Sequence, residues 1–264
     1  MDTERTPADP GPQDDRPGGH GQPGAHRAGA TAAVARRPWY ARPLTWIITV
    51  LAVIAVVVAA IIGVRIYADS QNSNAPAAFS SQSATDQGQA GDISGSWKTA
   101  DGSQAGYRVG EVLNGEDVTV VGRTEDVEGD ITIDGTSLKQ GSTITVDLST
   151  VTTDEDRRDK YFTSKAVDTS QYPDATFTVD SDTDLAALAS DGSAEVEVPG
   201  TLEINGKKQD ATVTMKASRS DDGLTVTGST AVTWEDYGVK APDMGFVSVE
   251  DSGSIEFSLN LEQA

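Results

Sequence analysis

The sequence predicts an all-β antiparallel domain of about eight strands with one or two short helices, preceded by a single transmembrane helix and a disordered N-terminal tail. Three observations predict this architecture: a Pro- and Gly-rich start, one long uncharged apolar run, and repeated alternation of apolar and polar residues beyond Ser94. The predicted segments are the tail (1–43), the membrane helix (44–66), a flexible linker (67–91) and the β-domain (92–264).

The tail is rich in Pro, Gly, Ala and charged residues and shows no apolar periodicity. A segment of this composition cannot bury enough apolar surface to offset the entropy lost on ordering. We therefore expect residues 1–43 to be disordered.

The apolar run from Leu44 to Val64 contains 21 residues without a charge. At about 1.5 Å per residue, a helix of this length crosses the ~30 Å hydrocarbon core of a bilayer. Trp46 and Tyr67 lie at its two ends, as interfacial aromatic residues do. A buried helix of a soluble protein is the alternative, but such helices are rarely apolar on every face.

The charges on either side of the run predict its orientation. Arg36, Arg37 and Arg42 precede it, whereas the acidic residues Asp69 and Asp86 follow Arg65 on the other side. The positive-inside rule then places the N-terminus in the cytoplasm and the β-domain outside it, as a single-pass protein of the cell membrane. A cleaved signal peptide stays open as an alternative, although the apolar run is longer than a typical signal-peptide core.

The β-domain shows period-two alternation, for example where Ile144, Val146 and Leu148 alternate with Thr145 and Asp147. The same pattern recurs around Val118, Ile131, Phe177, Val198, Val213, Val226 and Phe257. Tight turns are predicted between these runs at Asp134–Gly135, Asn205–Gly206 and Asp221–Gly223. Short helices are predicted after Thr152 or Thr153, which could cap one, and in the segment DTDLAALA. Alternation alone does not distinguish a barrel from a sandwich.

Composition excludes several classes of function. The chain has no Cys, and its two His lie in the tail, so the domain has neither thiol nor imidazole for catalysis or metal binding. Residues 67–264 carry 13 basic and 36 acidic side chains, a net charge of −23, which argues against binding nucleic acid. The segment DSDTD resembles the start of a calcium loop, but Leu185 occupies the place that requires Gly. We predict no cofactor, no metal site and no enzymatic activity.

Five segments of the domain carry a specific resemblance to a known family. They are YRVGE (107–111), VVGRTEDVEGDITIDG (120–135), TITVDLSTVTTDEDRRDKYFTSKAVDTSQYPDATFTV (143–179), GTLEINGKKQDATVTM (200–215) and TWEDYGVKAPDMGFVSVEDSGSIEFSLNL (233–261). In this order they resemble the YceI-like family. The resemblance implies an antiparallel lipocalin-like β-barrel with an elongated interior that binds a long amphiphile, such as a polyisoprenoid or an isoprenoid quinone. The chain departs from many relatives in its membrane anchor and in having Glu111 where they have His.

The candidate site consists of apolar residues for the wall of a tunnel and one arginine for a headgroup. The wall candidates are Val120, Ile133, Val146, Phe162, Phe177, Val179 and Trp234, for which ordinary core packing is the alternative. Arg158 could hold a polar headgroup by forked, charge-assisted bonds, or it could form a structural ion pair with Asp159 or Asp168.

The predicted function is therefore that of an extracytoplasmic lipid-binding or carrier domain. The predicted partners are a lipid or isoprenoid ligand and the membrane itself, with the oligomeric state open. A ligand-free structural or stress-related surface domain is the second hypothesis. A hydrolase acting on cell-envelope material is the third, and the missing His and Cys argue against it.

Overall fold

A computed structural model describes residues 43–79, 88–243 and 245–264. The predicted disordered tail lies outside the described residues up to position 42, as do residues 80–87 of the predicted linker. The remainder begins with helix α1 (Pro43–Asn74), which is long and apolar enough to cross a membrane. Its side chains are exposed almost throughout from Trp46 to Ile66, as contact with lipid requires. The helix continues to Asn74, so the segment predicted as a linker begins as helix.

The described part of the domain contains twelve strands and two short α-helices. The strands are β1 (Gly95–Thr99), β2 (Gln104–Leu113), β3 (Glu116–Thr124), β4 (Val127–Asp134), β5 (Ser137–Leu138), β6 (Thr143–Asp147), β7 (Asp174–Val179), β8 (Thr183–Asp184), β9 (Ser193–Ile204), β10 (Lys207–Ser220), β11 (Gly223–Thr233) and β12 (Val247–Gln263). The helices are α2 (Asp156–Tyr161), which continues as a π-helical turn (Phe162–Ala166), and α3 (Ala186–Asp191). Two 3₁₀ turns cover Leu148–Thr150 and Trp234–Tyr237.

The strands close into an eight-stranded antiparallel barrel in the order β1-β4-β6-β7-β9-β10-β11-β12, with β12 pairing back to β1. The ring has eight positions because β1 and β2 share one position beside the long strand β12. β1 pairs with the C-terminal end of β12 and β2 with the part before it; on their other sides, β1 pairs with β4 and β2 pairs with β3. At the outer edge of β3, a single isolated bridge joins Arg123 to Thr152, with backbone bonds in both directions. The predicted fold class is confirmed, and closure leaves few unpaired strand edges.

Two Asn-Gly pairs form the turns of the β2–β3 and β9–β10 hairpins. The φ angles are 53° at Asn114 and 86° at Gly115, and 54° at Asn205 and 71° at Gly206. Positive φ at both central residues defines the type I′ turn, whose twist matches that of paired strands. The turn at Asn205 was predicted from the sequence, whereas the turn at Asn114 was not.

Alternation directs one face of each strand into the barrel. In β4, Val127, Ile131 and Ile133 are buried, whereas the acidic residues between them are exposed. Val198 and Leu259 are 0% exposed at the centre of the core. This inward apolar face supplies the main stabilising free energy of the domain, about 25 cal/mol per Å² of apolar surface removed from water.

Candidate functional site

One end of the barrel interior is hollow. It contains a cavity of about 520 Å³ whose walls are predominantly apolar and come from β2, β3, β6, β7 and β9–β12. Six of the eight predicted site residues line this cavity: Val120, Val146, Arg158, Phe162, Phe177 and Trp234. The other two, Ile133 and Val179, border a cavity of only about 50 Å³ in the opposite half.

Phe177 and Ile144 border both cavities and therefore separate them. The Phe177 ring lies over Gly200, where a Cβ atom would come within 2.3 Å of the ring. Gly200 must therefore lack a side chain for the ring to occupy this position. The depth of the large cavity is set by Phe177, and the half of the barrel beyond it is filled apart from the small cavity.

Three aromatic rings form part of the cavity wall. Tyr107 stacks on Phe162, with ring centroids 5.2 Å apart and planes inclined by 18°, and meets the edge of Trp234 at 6.3 Å. Burial raises the pKa of the Tyr107 hydroxyl well above its ordinary value, and the nearby Arg158 guanidinium partly offsets this rise. Sequence reasoning missed Tyr107, although its place in the segment YRVGE put it on a strand.

Arg158 lies at the cavity mouth between two carboxylates. Its Nη1 atom donates to Asp154 Oδ1 at 2.6 Å, and its Nη2 atom lies 3.7 Å from Glu111 Oε1. The Arg158 side chain is 22% exposed and that of Glu111 only 8%. The ion pair between Arg158 and Glu111 therefore joins α2 to strand β2 at the point where the apolar cavity meets solvent.

The predicted ion-pair partners of Arg158, Asp159 and Asp168, are wrong. Asp159 instead accepts hydrogen bonds from the backbone N–H and the hydroxyl of Thr153, at 2.8 and 2.7 Å, and Asp168 accepts one from Ser170. The predicted cap by Thr152 or Thr153 is also wrong, because the N-cap residue of α2 is Glu155 and no side chain caps the helix. The spacing of Asp154 and Arg158, four residues apart, is the signal that could have identified the observed pair.

A second buried charge lies on the outer face of β12. Glu256 is 1% exposed, and its Oε1 atom lies 3.3 Å from Arg108 Nη2 and 3.2 Å from Arg123 Nη2. The two guanidinium groups also donate to backbone carbonyls in the segment after α1, to Pro76 at 2.6 Å and to Ala77 at 2.5 Å. Arg123 stacks over the Phe79 ring at 3.8 Å. This segment covers a carboxylate that would otherwise face water, and sequence reasoning did not identify the contact.

Acidic residues form no metal site in the described ranges. No group of three or more His, Cys, Asp or Glu among these residues could hold a metal ion. In the segment DSDTD, Asp182 accepts from the Gln140 backbone N–H at 2.8 Å and pairs with Lys139. The segment that resembles a calcium loop is therefore a turn whose Asp182 carboxylate is bound to residues of the protein itself.

Comparison with known proteins places this barrel in a family. The sequence model of the YceI-like domain matches residues 97–261. A polyisoprenoid binding domain from Saccharophagus degradans implicated in plant cell wall breakdown is 20% identical; the match covers 64% of this chain and 98% of that one, with a TM-score of 0.52. BcnA of Burkholderia cenocepacia is 20% identical over 61% of this chain and 96% of its own, with a TM-score of 0.49. No functionally curated protein matches. Since the family match covers most of the chain, this protein belongs to the YceI-like domain family.

Proposed function

We propose that the barrel binds a long amphiphilic lipid, a polyisoprenoid or an isoprenoid quinone, and carries it beside the membrane on the extracytoplasmic side. The observation that carries this proposal is the cavity of about 520 Å³. Ligand pockets typically measure ~300–1,000 Å³ and combine apolar walls with a few polar groups. The polyisoprenoid binding described for the Saccharophagus degradans domain supports the same ligand class.

The apolar wall accounts for affinity. A tail that buries about 300 Å² of its apolar surface in the cavity gains roughly 7 kcal/mol of binding free energy, at ~25 cal/mol per Å² removed from water. The costs of ordering and association are subtracted from this gain. Isoprenoid chains are branched, and the branched and aromatic residues Val120, Val146 and Phe162 offer them a complementary surface. The tail is therefore placed inside, with its end at Phe177.

The charges at the mouth favour a neutral headgroup. Arg157, Arg158 and Lys240 line the cavity together with Glu111 and Glu155, and Asp154 binds Arg158. Three cations face three carboxylates, so little net positive charge is left for a pyrophosphate. Arg158 still has N–H groups beyond the one that Asp154 accepts. A quinone carbonyl could accept from them without disturbing the ion pairs.

We propose binding rather than catalysis, because no His or Cys occurs beyond residue 26 to act as base or nucleophile. The membrane helix keeps the barrel close to the pool of its ligand. A ligand-free surface domain is the competing function, and the cavity argues against it because protein interiors normally pack to crystal-like density.

The test is what the full-length protein carries after purification in lipid nanodiscs. Organic extraction and mass spectrometry should detect an isoprenoid quinone or polyisoprenoid that is depleted in a Val146→Trp control. The control accounts for lipid held by the membrane helix, which the substitution does not touch. Wild-type protein with no excess lipid over this control, and no uptake of added quinone or polyisoprenol, would leave the surface-domain function in place.

A further inference from the structure

The membrane helix reaches the mouth of the cavity. Tyr67, in α1, is one of the residues that line the large cavity. Tyr67 and Arg65 are the first aromatic and the first charged residue after the apolar run, so both mark the depth of the membrane–water interface. A bilayer crossed by α1 would therefore have the end of its hydrocarbon core at the level of the cavity mouth.

Several contacts hold the barrel in this orientation. The Asn72 side chain donates from Nδ2 to the Asp117 carbonyl and accepts at Oδ1 from the Thr119 N–H, both at 2.8 Å. It thereby pairs with the free edge of β3 much as another strand would. Two turns earlier in the helix, Arg65 Nε lies 3.1 Å from Glu116 Oε1. Together with the bonds from Arg108 and Arg123 to the segment after α1, these contacts extend from the membrane interface along the barrel wall.

The rim beside these contacts exposes apolar surface. Phe246 lines the cavity and is 60% exposed. Its carbonyl accepts from the Asn114 N–H at 2.8 Å, which places it next to the hairpin whose Glu116 meets Arg65. Transfer of an exposed phenylalanine side chain from water to the interfacial region of a bilayer lowers its free energy.

We propose that the rim formed by Phe246, Lys240 and the Asn114–Glu116 hairpin rests on the bilayer that holds α1. The lipid surface is the partner because the apolar run of α1 ends at this rim, where Arg65 meets Glu116, and because the Phe246 side chain is exposed there. An acidic barrel has no general attraction to anionic headgroups, so the contact depends on the helix and on this one apolar side chain. Given the proposed function, the ligand then passes between bilayer and cavity without its tail crossing water.

Because the chain has no Cys, single-Cys variants can report on depth. Phe246→Cys and Lys240→Cys at the rim are compared with Asp222→Cys, in the turn before β11 at the end of the barrel lined by Leu224. Each full-length variant carries a nitrobenzoxadiazole label in nanodiscs containing spin-labelled lipid. The labels at positions 246 and 240 should be quenched several-fold more than the label at 222.

Equal, weak quenching at all three positions would overturn the proposal. Strong quenching at position 246 alone would also overturn it, because the membrane contact would then come from the label and not from the rim. Neither result depends on a bound ligand. Failure of this proposal is therefore distinguishable from failure of lipid binding, which the extraction experiment measures.

Discussion

Arg158 Nη2 lies 3.7 Å from Glu111 Oε1, and this contact is an ion pair between strand β2 and helix α2. Both side chains are largely withdrawn from solvent at the edge of an apolar cavity. Such a pair stabilises only while both partners are present, because each compensates the desolvation of the other.

Replacing Arg158 by Met should lower the free energy of unfolding by about 1–3 kcal/mol, because it leaves the Glu111 carboxylate buried and uncompensated. The double variant Arg158→Met/Glu111→Leu should recover most of this loss. Thermal denaturation of the full chain in detergent, followed by circular dichroism, measures both. If Arg158→Met melts like wild type but loses ligand, Arg158 serves the headgroup rather than the fold.

Tyr107 predicts a loss of stability at alkaline pH. Because burial raises the pKa of its hydroxyl, both states keep the proton below the ordinary pKa of about 10, and its full contribution to stability is present there. Above that pH the unfolded chain releases its proton first, so stability falls by up to about 1.4 kcal/mol per pH unit. Melting temperatures between pH 8 and about pH 11 should fall less steeply for Tyr107→Phe than for wild type. Burial also raises the Tyr237 pKa, so a smaller slope should remain; identical slopes would contradict the assignment.

The two halves of the barrel should respond differently to a bulky side chain. Val146→Trp places an indole in the large cavity, so it should abolish lipid uptake with a modest change in melting temperature. Ile133→Trp is the matched change in the filled half, where overpacking should cost roughly 1–3 kcal/mol and leave uptake intact in the folded fraction. Lipid content and melting temperature are measured on the same samples. Equal destabilisation by both variants would show that the interior is filled throughout.

Phe177 should limit the length of the bound tail. Phe177→Ala joins the two cavities, so the preference should move to longer isoprenoid chains in competition between quinones of different tail length. Phe257→Ala is the matched control, because Phe257 lines only the large cavity and also lies over a glycine, Gly228. Both variants should lose about 3–5 kcal/mol of stability, but only the first should change length preference. A shared shift would mean that cavity volume, not the Phe177 barrier, selects the ligand.

The charge asymmetry around the apolar run predicts the topology. Protease added to intact cells or spheroplasts should degrade the β-domain and spare an epitope placed in the N-terminal tail. A secreted protease-sensitive protein and a cytoplasmic protein serve as controls. Survival of the barrel while the outside control is digested would reverse the proposed orientation, and loss of the epitope from purified protein would favour signal-peptide cleavage.

Local patterns sufficed for most of the fold and for the apolar part of the site. The alternation of Ile144 and Val146 predicted a strand with an inward face, and both residues line the cavity. The family resemblance supplied the barrel, which alternation could not distinguish from a sandwich. The division of the interior depends on which side chains meet across the barrel. Ile133 and Val146 therefore looked equivalent in sequence, although Ile133 borders the small cavity and Val146 the large one.

Contacts between distant residues were beyond sequence reasoning. Glu111 lies far from Arg158 along the chain, and no local rule brings them together. Glu256 occupies an outward position of β12, where alternation predicts solvent, yet the segment after α1 covers it. That segment was predicted to be part of a linker because residues 67–91 as a whole are mostly polar or small. Its contacts include two backbone carbonyls and the Phe79 ring, all bound to arginines of the barrel.

Closure of the barrel also constrains the order in which the chain can fold. β1, the first strand of the domain, pairs with the end of the last, with Trp97 opposite Gln263 and Thr99 opposite Leu261. Synthesis delivers these partners at opposite ends of the domain, so a nascent chain has two open edges and no sealed interior until β12 is available. The cavity thus comes into existence with the final strand, and a lipid can be enclosed only by a completed domain, never by one still being made.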